Sequence, residues 1–273
     1  MKLKLTLMSD GWCEQLESIA CRGGKFRHIH FASMFALIQH PRFGAILFDT
    51  GYTARFFNET RHFPEKFYRL MTPVQLNESG DVIAQLRTHG IAPEAVRHVI
   101  VSHFHADHIG GLKHFPKAKF LCTRAAFDSV KNLSGWRALK HAFLPGLLPP
   151  DFSERAAFTE DAPLVPLPER YAPFSEGRDL LGDGSLLAVE LPGHATGQMG
   201  IFLTTTDGRD HLLAADACWL SRQYREFLMP HPIVRWLVDW HAYKVTLQKL
   251  HQLHRNPPAL RIIPTHCGEI WNP

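Results

Sequence analysis

One short segment, residues 102–111, constrains this chain more than any other part of the sequence. It reads SHFHADHIGG and directly follows the apolar residues 99–101, which predict a short buried strand. Three imidazoles and one carboxylate within six positions need a partner that offsets their desolvation, and a metal is such a partner. In extended backbone a His-x-His pair points both rings to one side, and the Asp-His pair that follows presents a second set of ligands. One loop can therefore serve two adjacent metals, and its candidate ligands are His103, His105, Asp107 and His108.

Three other predicted strand ends carry residues of the same chemical types. His194 follows the strand-like residues 186–191, Asp216 follows residues 211–215, and His266 follows residues 260–263. Binding sites are normally built from loops that a rigid scaffold holds in place. Four strand ends thus supply five histidines and two aspartates, a complete ligand set for a two-metal site. Imidazole and carboxylate suit Zn and also Fe, Mn or Co.

Five further residues have less specific signals. Asp49 is predicted to orient a ligand imidazole through its other ring nitrogen, with capping of its own turn as the alternative. His28 and His30 are interpreted as ordinary strand residues, since nothing acidic follows them. Cys218 and Cys267, each beside a candidate ligand, are interpreted as small buried hydrophobic residues.

Strand-like and helix-like stretches alternate along the chain, which predicts layered α/β architecture with helices covering sheet. Residues 35–40 and 45–48 predict a hairpin, residues 81–90 and 236–253 predict helices, and residues 1–10 predict a strand. We interpret residues 1–273 as a single domain. Residues 130–175, rich in proline and without a convincing strand, are interpreted as an insertion that covers the core.

Composition excludes several classes of protein. The formal net charge of +4 is too small to argue for a nucleic-acid surface, so no nucleic-acid partner is expected. Five cysteines without a Cys-x-x-Cys pair argue against a disulfide framework and against a thiolate zinc site. No apolar run is long enough for a signal peptide or a membrane span. A cytoplasmic protein with free thiols is the resulting expectation.

The ordered set of motifs resembles the metallo-β-lactamase superfamily, and the resemblance begins at the Asp49-Thr50-Gly51 turn and covers nearly the whole chain. It implies a four-layer αβ/βα sandwich of two mixed β-sheets flanked by helices. It also implies two divalent transition metal ions, with zinc expected. In that pattern one metal is held by His103, His105 and His194, a second by Asp107, His108 and His266, and Asp216 bridges both.

The resemblance implies hydrolysis, since a hydroxide that bridges two metals is a nucleophile near neutral pH. The catalytic residues would be Asp216, as bridge, and Asp107, as ligand and proton donor to the leaving alkoxide. In length and in the wording HFHADHIGG the chain is most similar to the quorum-quenching N-acyl homoserine lactone lactonases. Those enzymes often carry a tyrosine shortly after the bridging aspartate, whereas here Trp219 stands in that stretch and the nearest tyrosine is Tyr224.

Three alternatives to a lactone or ester hydrolase stay open. A phosphodiesterase or nuclease would be favoured if basic residues gathered at the mouth of the site, namely Arg222, Arg225, Arg235 and Lys244. A thioester hydrolase would use the same metal chemistry. A metal-bound sensor without catalysis is the third alternative, although it would not need an open metal position.

Two segments are predicted to form an apolar cap that selects a small-molecule substrate with a hydrophobic arm. The first presents, on one predicted helical face, Trp136, Leu139, Phe143 and Leu147; the second supplies Phe227, Leu228, Met229, Ile233, Trp236 and Leu237. The predicted substrate contacts are Trp136, Phe143, Trp219 and Tyr224. The rival interpretation is that these side chains are core or bury a homodimer contact.

Overall fold

The computed structural model describes residues 2–256 and 260–271, so that Met1, the first residue of the predicted N-terminal strand, lies outside the described residues. The strands of the first sheet are β1 (Lys4–Leu16), β2 (His28–His40), β3 (Gly44–Phe48), β4 (Val74–Leu76), β5 (His98–Ile100), β6 (Lys119–Cys122) and β7 (Ala156–Phe158). Those of the second sheet are β8 (Leu164–Pro166), β9 (Glu176–Asp179), β10 (Leu187–Glu190), β11 (Met199–Thr204), β12 (Asp210–Ala215) and β13 (Arg261–Pro264).

Helices cover the outer faces of both sheets. The α-helices are α1 (Glu17–Ala20), α2 (Ala54–Glu59), α3 (Lys66–Met71), α4 (Val82–Thr88), α5 (Ala106–Ile109), α6 (Arg124–Val130), α7 (Gly135–Leu139), α8 (Phe152–Arg155), α9 (Ser221–Glu226), α10 (Trp240–His254) and α11 (Gly268–Trp271). Single 3₁₀ turns occur at Pro93–Ala95, Leu112–His114, Pro145–Leu147, Thr159–Asp161, Glu169–Tyr171 and Pro232–Trp236. None of the described helices has both the length and the apolar character needed to cross a membrane.

Both sheets are mixed, which confirms the predicted fold class. The first sheet has the strand order β4-β1-β2-β3-β5-β6-β7, antiparallel up to β3 and parallel from β3 to β7. The second has the order β13-β12-β11-β10-β9-β8 and is antiparallel except for the β12–β13 pair. The predicted hairpin is β2–β3.

Alternation of side chains along the central strands produces the layers. In β2, Met34, Ala36 and Ile38 pack between the two sheets, while Phe35 and Leu37 pack against the helices on the outer face. In β12 the same alternation places Leu213 between the sheets and Leu212 against α10. Because both faces of each sheet are apolar, the sheets stack on each other and helices cover them from outside.

Local capping explains where the two predicted helices begin. Asp81 accepts hydrogen bonds from the backbone N–H groups of Ile83 and Ala84, at 3.1 and 3.2 Å, and so starts α4. Asp239 accepts a hydrogen bond from the N–H of Ala242 and starts α10, four residues later than the apolar pattern indicated. The preceding residues, Pro232–Trp236, form a 3₁₀ turn instead.

The expectation that residues 130–175 hold no strand is wrong. β7 extends the first sheet by pairing with β6, and β8 pairs with β9 at the edge of the second sheet. Each has three residues, so its pairing is set by the neighbouring strand and not by a pattern of its own. The segment thus joins both sheets.

The predicted helical face from Trp136 to Leu147 is also broken. Helix α7 ends at Leu139, Ala142 takes a positive φ of 47°, and a 3₁₀ turn follows at Pro145–Leu147. The break has a local cause, because a proline disfavours helical backbone in the residue before it, and that residue, Leu144, is extended. The side chains on either side of the break consequently point in different directions.

Candidate metal centre

Four predicted ligands from three strand ends form a first group. His103 and His105 follow β5, His194 follows β10 and Asp216 follows β12, and one ligand atom of each lies within 4.8 Å of the others. His194 Nε2 is 2.9 Å from His105 Nδ1 and 3.2 Å from Asp216 Oδ2.

The other three predicted ligands form a second group beside the first. Asp107 and His108 lie on α5, and His266 follows β13. Asp107 Oδ2 is 3.5 Å from both His108 Nε2 and His266 Nε2. Asp216 lies between the groups, since its Oδ2 is 2.8 Å from His266 Nε2 and its Oδ1 is 3.5 Å from His108 Nε2. The structure therefore brings all seven predicted ligands together.

Hydrogen bonds to the outer ring nitrogens orient these imidazoles. His108 Nδ1 donates to Asp49 Oδ2 at 2.7 Å, and His266 Nδ1 donates to the carbonyl oxygen of Ala32 at 2.8 Å. Ser102 donates to Asp49 through both its backbone N–H and its hydroxyl, at 2.8 Å each. A carboxylate or carbonyl on one nitrogen leaves the other with a lone pair that faces the centre. Asp49 thus has the position predicted for it.

Strained backbone marks the two strand ends that carry aspartates. Asp49 after β3 has a φ of 59° and Ala215 at the end of β12 has a φ of 47°, both in the left-handed region that non-glycine residues rarely adopt. Such conformations cost of order 1–3 kcal/mol and are retained where the surrounding structure over-determines them, often at functional sites. They turn the chain sharply as it leaves the sheet beside the ligands.

The loop that carries His194 depends on a glycine. Gly193 has a φ of 133°, and a Cβ there would lie 2.3 Å from the Cα of Tyr243 in α10. Only glycine permits this close approach. The contact fixes the loop on α10 directly before the ligand.

The electrostatics of the centre match a site for cations. Burial lowers the pKa values of His103 and His105 well below the ordinary value, and neighbouring imidazoles add to the effect, so both rings are neutral. Burial would also lower the pKa of His108, yet the surrounding carboxylates hold it well above the ordinary value. Burial would raise the pKa of Asp216, but the imidazoles around it, His266 first, hold it well below. Positive charge inside this cluster is therefore stabilised by its carboxylates.

Several buried polar atoms of the cluster lack any hydrogen-bond partner among the described residues, which tests whether a metal fits. They include His103 Nε2, His108 Nε2 and Asp216 Oδ1. Unpaired buried polar atoms are rare, and a bound cation would satisfy those that face this centre. Imidazole nitrogens and carboxylate oxygens are the donors that divalent transition metals take, so the residues fit such ions.

A cavity of about 590 Å³ opens onto the centre. Five ligands line its floor: His105, Asp107, His194, Asp216 and His266. Its walls are mostly apolar, and Lys140 is the one lysine or arginine among the described lining residues. A neighbouring cavity of about 510 Å³ shares His105 and His194 and is bounded by Trp236.

Of the four predicted substrate contacts, the structure brings two to this cavity. Trp136 and Trp219 line it. Phe143 is 1% exposed and packs in the core of the first sheet, because the chain turns inward after Ala142. Tyr224 is buried against α10 with its hydroxyl 3.5 Å from the carbonyl oxygen of Ile262, so it does not reach the cavity either.

The residues of the predicted apolar cap also divide between the cavity wall and the cores of the sheets. Leu139 and Leu237 line the cavity, whereas Leu147 and Met229 are buried in the cores of the first and second sheets. Phe227 packs against the latter core, as a partly buried side chain.

Sequence reasoning missed one wall of the cavity altogether. Helix α3 and the residue after the Asp49 turn supply Phe67, Tyr68, Met71 and Tyr52. The signal was present, since residues 63–71 hold more apolar side chains than a loop normally exposes. Tyr68 lines the same cavity as the ligand Asp107.

Sequence comparisons find curated proteins that are similar to this chain over most of its length. The N-acyl homoserine lactonase AttM of Azorhizobium caulinodans is 28% identical over 237 residues, which cover 87% of this chain and 82% of that protein. AttM of Rhizobium radiobacter is 26% identical over 229 residues, covering 84% and 81%.

Solved structures show the same fold at lower identity. An N-acyl homoserine lactone hydrolase with N-hexanoyl-L-homoserine at its catalytic metal center matches with a TM-score of 0.76 at 17% identity, covering 100% of this chain and 96% of that one. AidC, a dizinc quorum-quenching lactonase, matches with a TM-score of 0.66 at 16% identity, covering 97% and 88%. The family model described as the metallo-beta-lactamase superfamily matches residues 33–266 and includes every ligand described above. The chain therefore belongs to the metallo-beta-lactamase superfamily.

Proposed function

We propose that this protein is a dinuclear metal-dependent hydrolase that opens a lactone or ester with a hydrophobic acyl arm. The observation that carries the proposal is the position of the seven ligands, which lie in two groups joined by Asp216 at the floor of an apolar cavity. The names of the curated relatives favour a lactone over other esters. A cytoplasmic location is part of the proposal, because all five cysteines are free and buried.

We assign two divalent ions to the centre, with zinc expected. His103, His105 and His194 would hold one and Asp107, His108 and His266 the other, while Asp216 would contact both. Ions bound there supply Lewis acidity and lower the pKa of water to near 7. Nitrogen ligands dominate both groups, which suits zinc better than magnesium or calcium.

Side chains of the chain would transfer a proton, bind a substrate oxygen and contact the acyl arm. Asp107, a member of the second group of ligands, lines the cavity, where its carboxyl group can pass a proton to the leaving alkoxide. Tyr68 lines the same wall, and burial raises its pKa well above the ordinary value, so its hydroxyl stays a donor for a substrate oxygen. Trp136, Trp219 and Leu237 supply apolar surface for the acyl arm.

The basic residues that would favour a phosphodiesterase do not gather at the cavity. Arg222 is paired with Glu226 and Arg225 with Glu269. None of the four residues proposed for it is among the described residues that line the cavity. Apolar walls match an acyl chain better than a phosphate backbone.

The test is a substrate panel with metal-loaded protein: N-acyl homoserine lactones of increasing acyl length, a thioester and a phosphodiester. We expect lactone opening to be fastest, with kcat/KM rising severalfold per two added carbons, since each buried methylene contributes about 0.8 kcal/mol. A preference for the thioester or the phosphodiester would assign another branch of the superfamily. A series independent of acyl length would contradict the role of the apolar walls.

A further inference from the structure

The cavity mouth is surrounded by protruding apolar side chains, which we call the lips. The first lip comprises residues 61–71 and 135–140, and the second comprises residues 233–238. Exposed large apolar side chains of the first lip are Phe63, Phe67, Leu70, Met71 and Trp136. Those of the second lip are Ile233, Trp236 and Leu237.

The lips form one surface. Phe67, Met71, Trp136 and Leu237 line the same cavity, and the rings of Phe67 and Trp136 have centroids 6.1 Å apart. Eight of the twelve exposed large hydrophobic residues in the described chain belong to the lips. A concentration of this kind on one face marks an interaction surface, whereas single exposed hydrophobic residues do not.

The charges around these side chains are basic and uncompensated. The lips hold one acidic residue, Glu65, and six basic residues: Arg61, Lys66, Arg69, Arg137, Lys140 and Arg235. Their charge of +5 exceeds the +4 of the whole chain. None of the six forms an ion pair within the described residues, whereas seven arginines elsewhere do.

We propose that the lips dock onto an anionic lipid surface and hold the cavity mouth against it. Tryptophan, phenylalanine and leucine side chains enter the interface between headgroups and acyl chains, while lysine and arginine are attracted to anionic headgroups. This proposal goes beyond the proposed function and does not depend on it, because docking needs neither metal nor substrate.

A second copy of the chain fits this face less well. A twofold contact sets the same patch of both copies against each other, so two surfaces of charge +5 would meet. Like charges brought together across an interface are unfavourable. The experiment below therefore distinguishes lipid binding from the homodimer contact that was the rival interpretation of these residues.

The experiment measures binding of the full chain to vesicles of phosphatidylcholine alone and of phosphatidylcholine mixed with phosphatidylglycerol, by co-sedimentation. We expect binding to the anionic vesicles only, weakened by added salt. Arg137→Gln should weaken it about fivefold, the effect of one cation near an anionic surface. The matched control is Arg209→Gln, since Arg209 is exposed and lies outside the lips.

A second pair of variants tests the apolar contribution. Trp236 is 86% exposed, and Leu164, which lies outside the lips on β8 at the edge of the second sheet, is 52% exposed. Trp236→Ser should weaken vesicle binding about tenfold through lost apolar burial, whereas Leu164→Ser should leave it unchanged. Both positions are on the surface, so neither change should unfold the protein, and circular dichroism checks this.

Three results would overturn the proposal. The first is equal binding to neutral and anionic vesicles, or none to either. The second is equal effects of the lip variants and their controls. The third is a dimer in sedimentation velocity that Trp236→Ser converts to a monomer while vesicles are not bound, which would assign the lips to contact between copies.

Discussion

At the scale of single residues, Asp49 connects the scaffold to the metal centre without being one of the seven ligands. Its carboxylate accepts from His108 and twice from Ser102. In Asp49→Asn one of these oxygens becomes an amide nitrogen, so at least one bond is lost and the orientation of His108 is weakened. We expect metal affinity to fall 10- to 100-fold, the usual effect of such outer partners.

A competition titration with a chelator measures this change. The control is Asp183→Asn, because Asp183 also pairs with a buried histidine, His40, at 3.0 Å, but away from the centre. Equal metal affinity in the Asp49→Asn variant and its control would show that Asp49 only caps the turn in which it lies.

A tyrosine from a distant part of the chain is the second residue of interest. Tyr68 lies in the cavity wall beside Asp107, whereas Tyr224, which sequence reasoning selected, is buried elsewhere. We expect Tyr68→Phe to lower kcat/KM about tenfold at unchanged metal content, because one hydrogen bond to a developing charge is lost. Tyr224→Phe is the control and should leave kcat/KM near that of the parent. Unchanged kcat/KM in Tyr68→Phe would show that the Tyr68 hydroxyl does not contribute to catalysis.

At the scale of elements, the break after α7 separates a substrate wall from the core. Trp136 lies before the break and lines the cavity, while Phe143 lies after it and is buried. Trp136→Ala should abolish the rise of kcat/KM with acyl length and leave the fold stable. Phe143→Ala should lower the free energy of unfolding by about 3–5 kcal/mol and keep the length dependence.

Two measurements separate these effects: urea denaturation and kcat/KM over the acyl series. Each variant serves as the control for the other. A length dependence that survives in Trp136→Ala, or that disappears in Phe143→Ala without loss of stability, would reverse the assignments of the two aromatic residues.

Part of the site could be predicted from sequence because it depends on local spacing, and part could not because it depends on the tertiary fold. The ligands of α5 follow a strand within a few residues, so local spacing determines which way they face. The position of Phe143 depends on a turn at Ala142 that no periodicity encodes, and β7 and β8 are strands only because their neighbours pair with them. Tyr68 lines the same cavity as Asp107 although the two lie some forty positions apart in sequence, and only the tertiary fold determines this arrangement.

At the scale of the whole molecule, the two sheets place four strand ends at one edge. β5, β10, β12 and β13 deliver ligands there, and the strand ends belong to both sheets. Neither sheet alone has a complete set, so assembly of the centre requires the sandwich to form. The predicted fold class was sufficient to anticipate this meeting of strand ends, since the ligands followed strands in the sequence.

In the proposed hydrolase both groups of ligands must hold a metal ion before hydrolysis can occur. The direct measurement is a titration of metal-free protein with zinc, in which bound metal and the rate of lactone opening are determined on the same samples. We expect about two equivalents to bind per chain, with activity appearing only as the second is taken up. Full activity at one bound equivalent would contradict this expectation, and so would two bound equivalents without hydrolysis of any lactone.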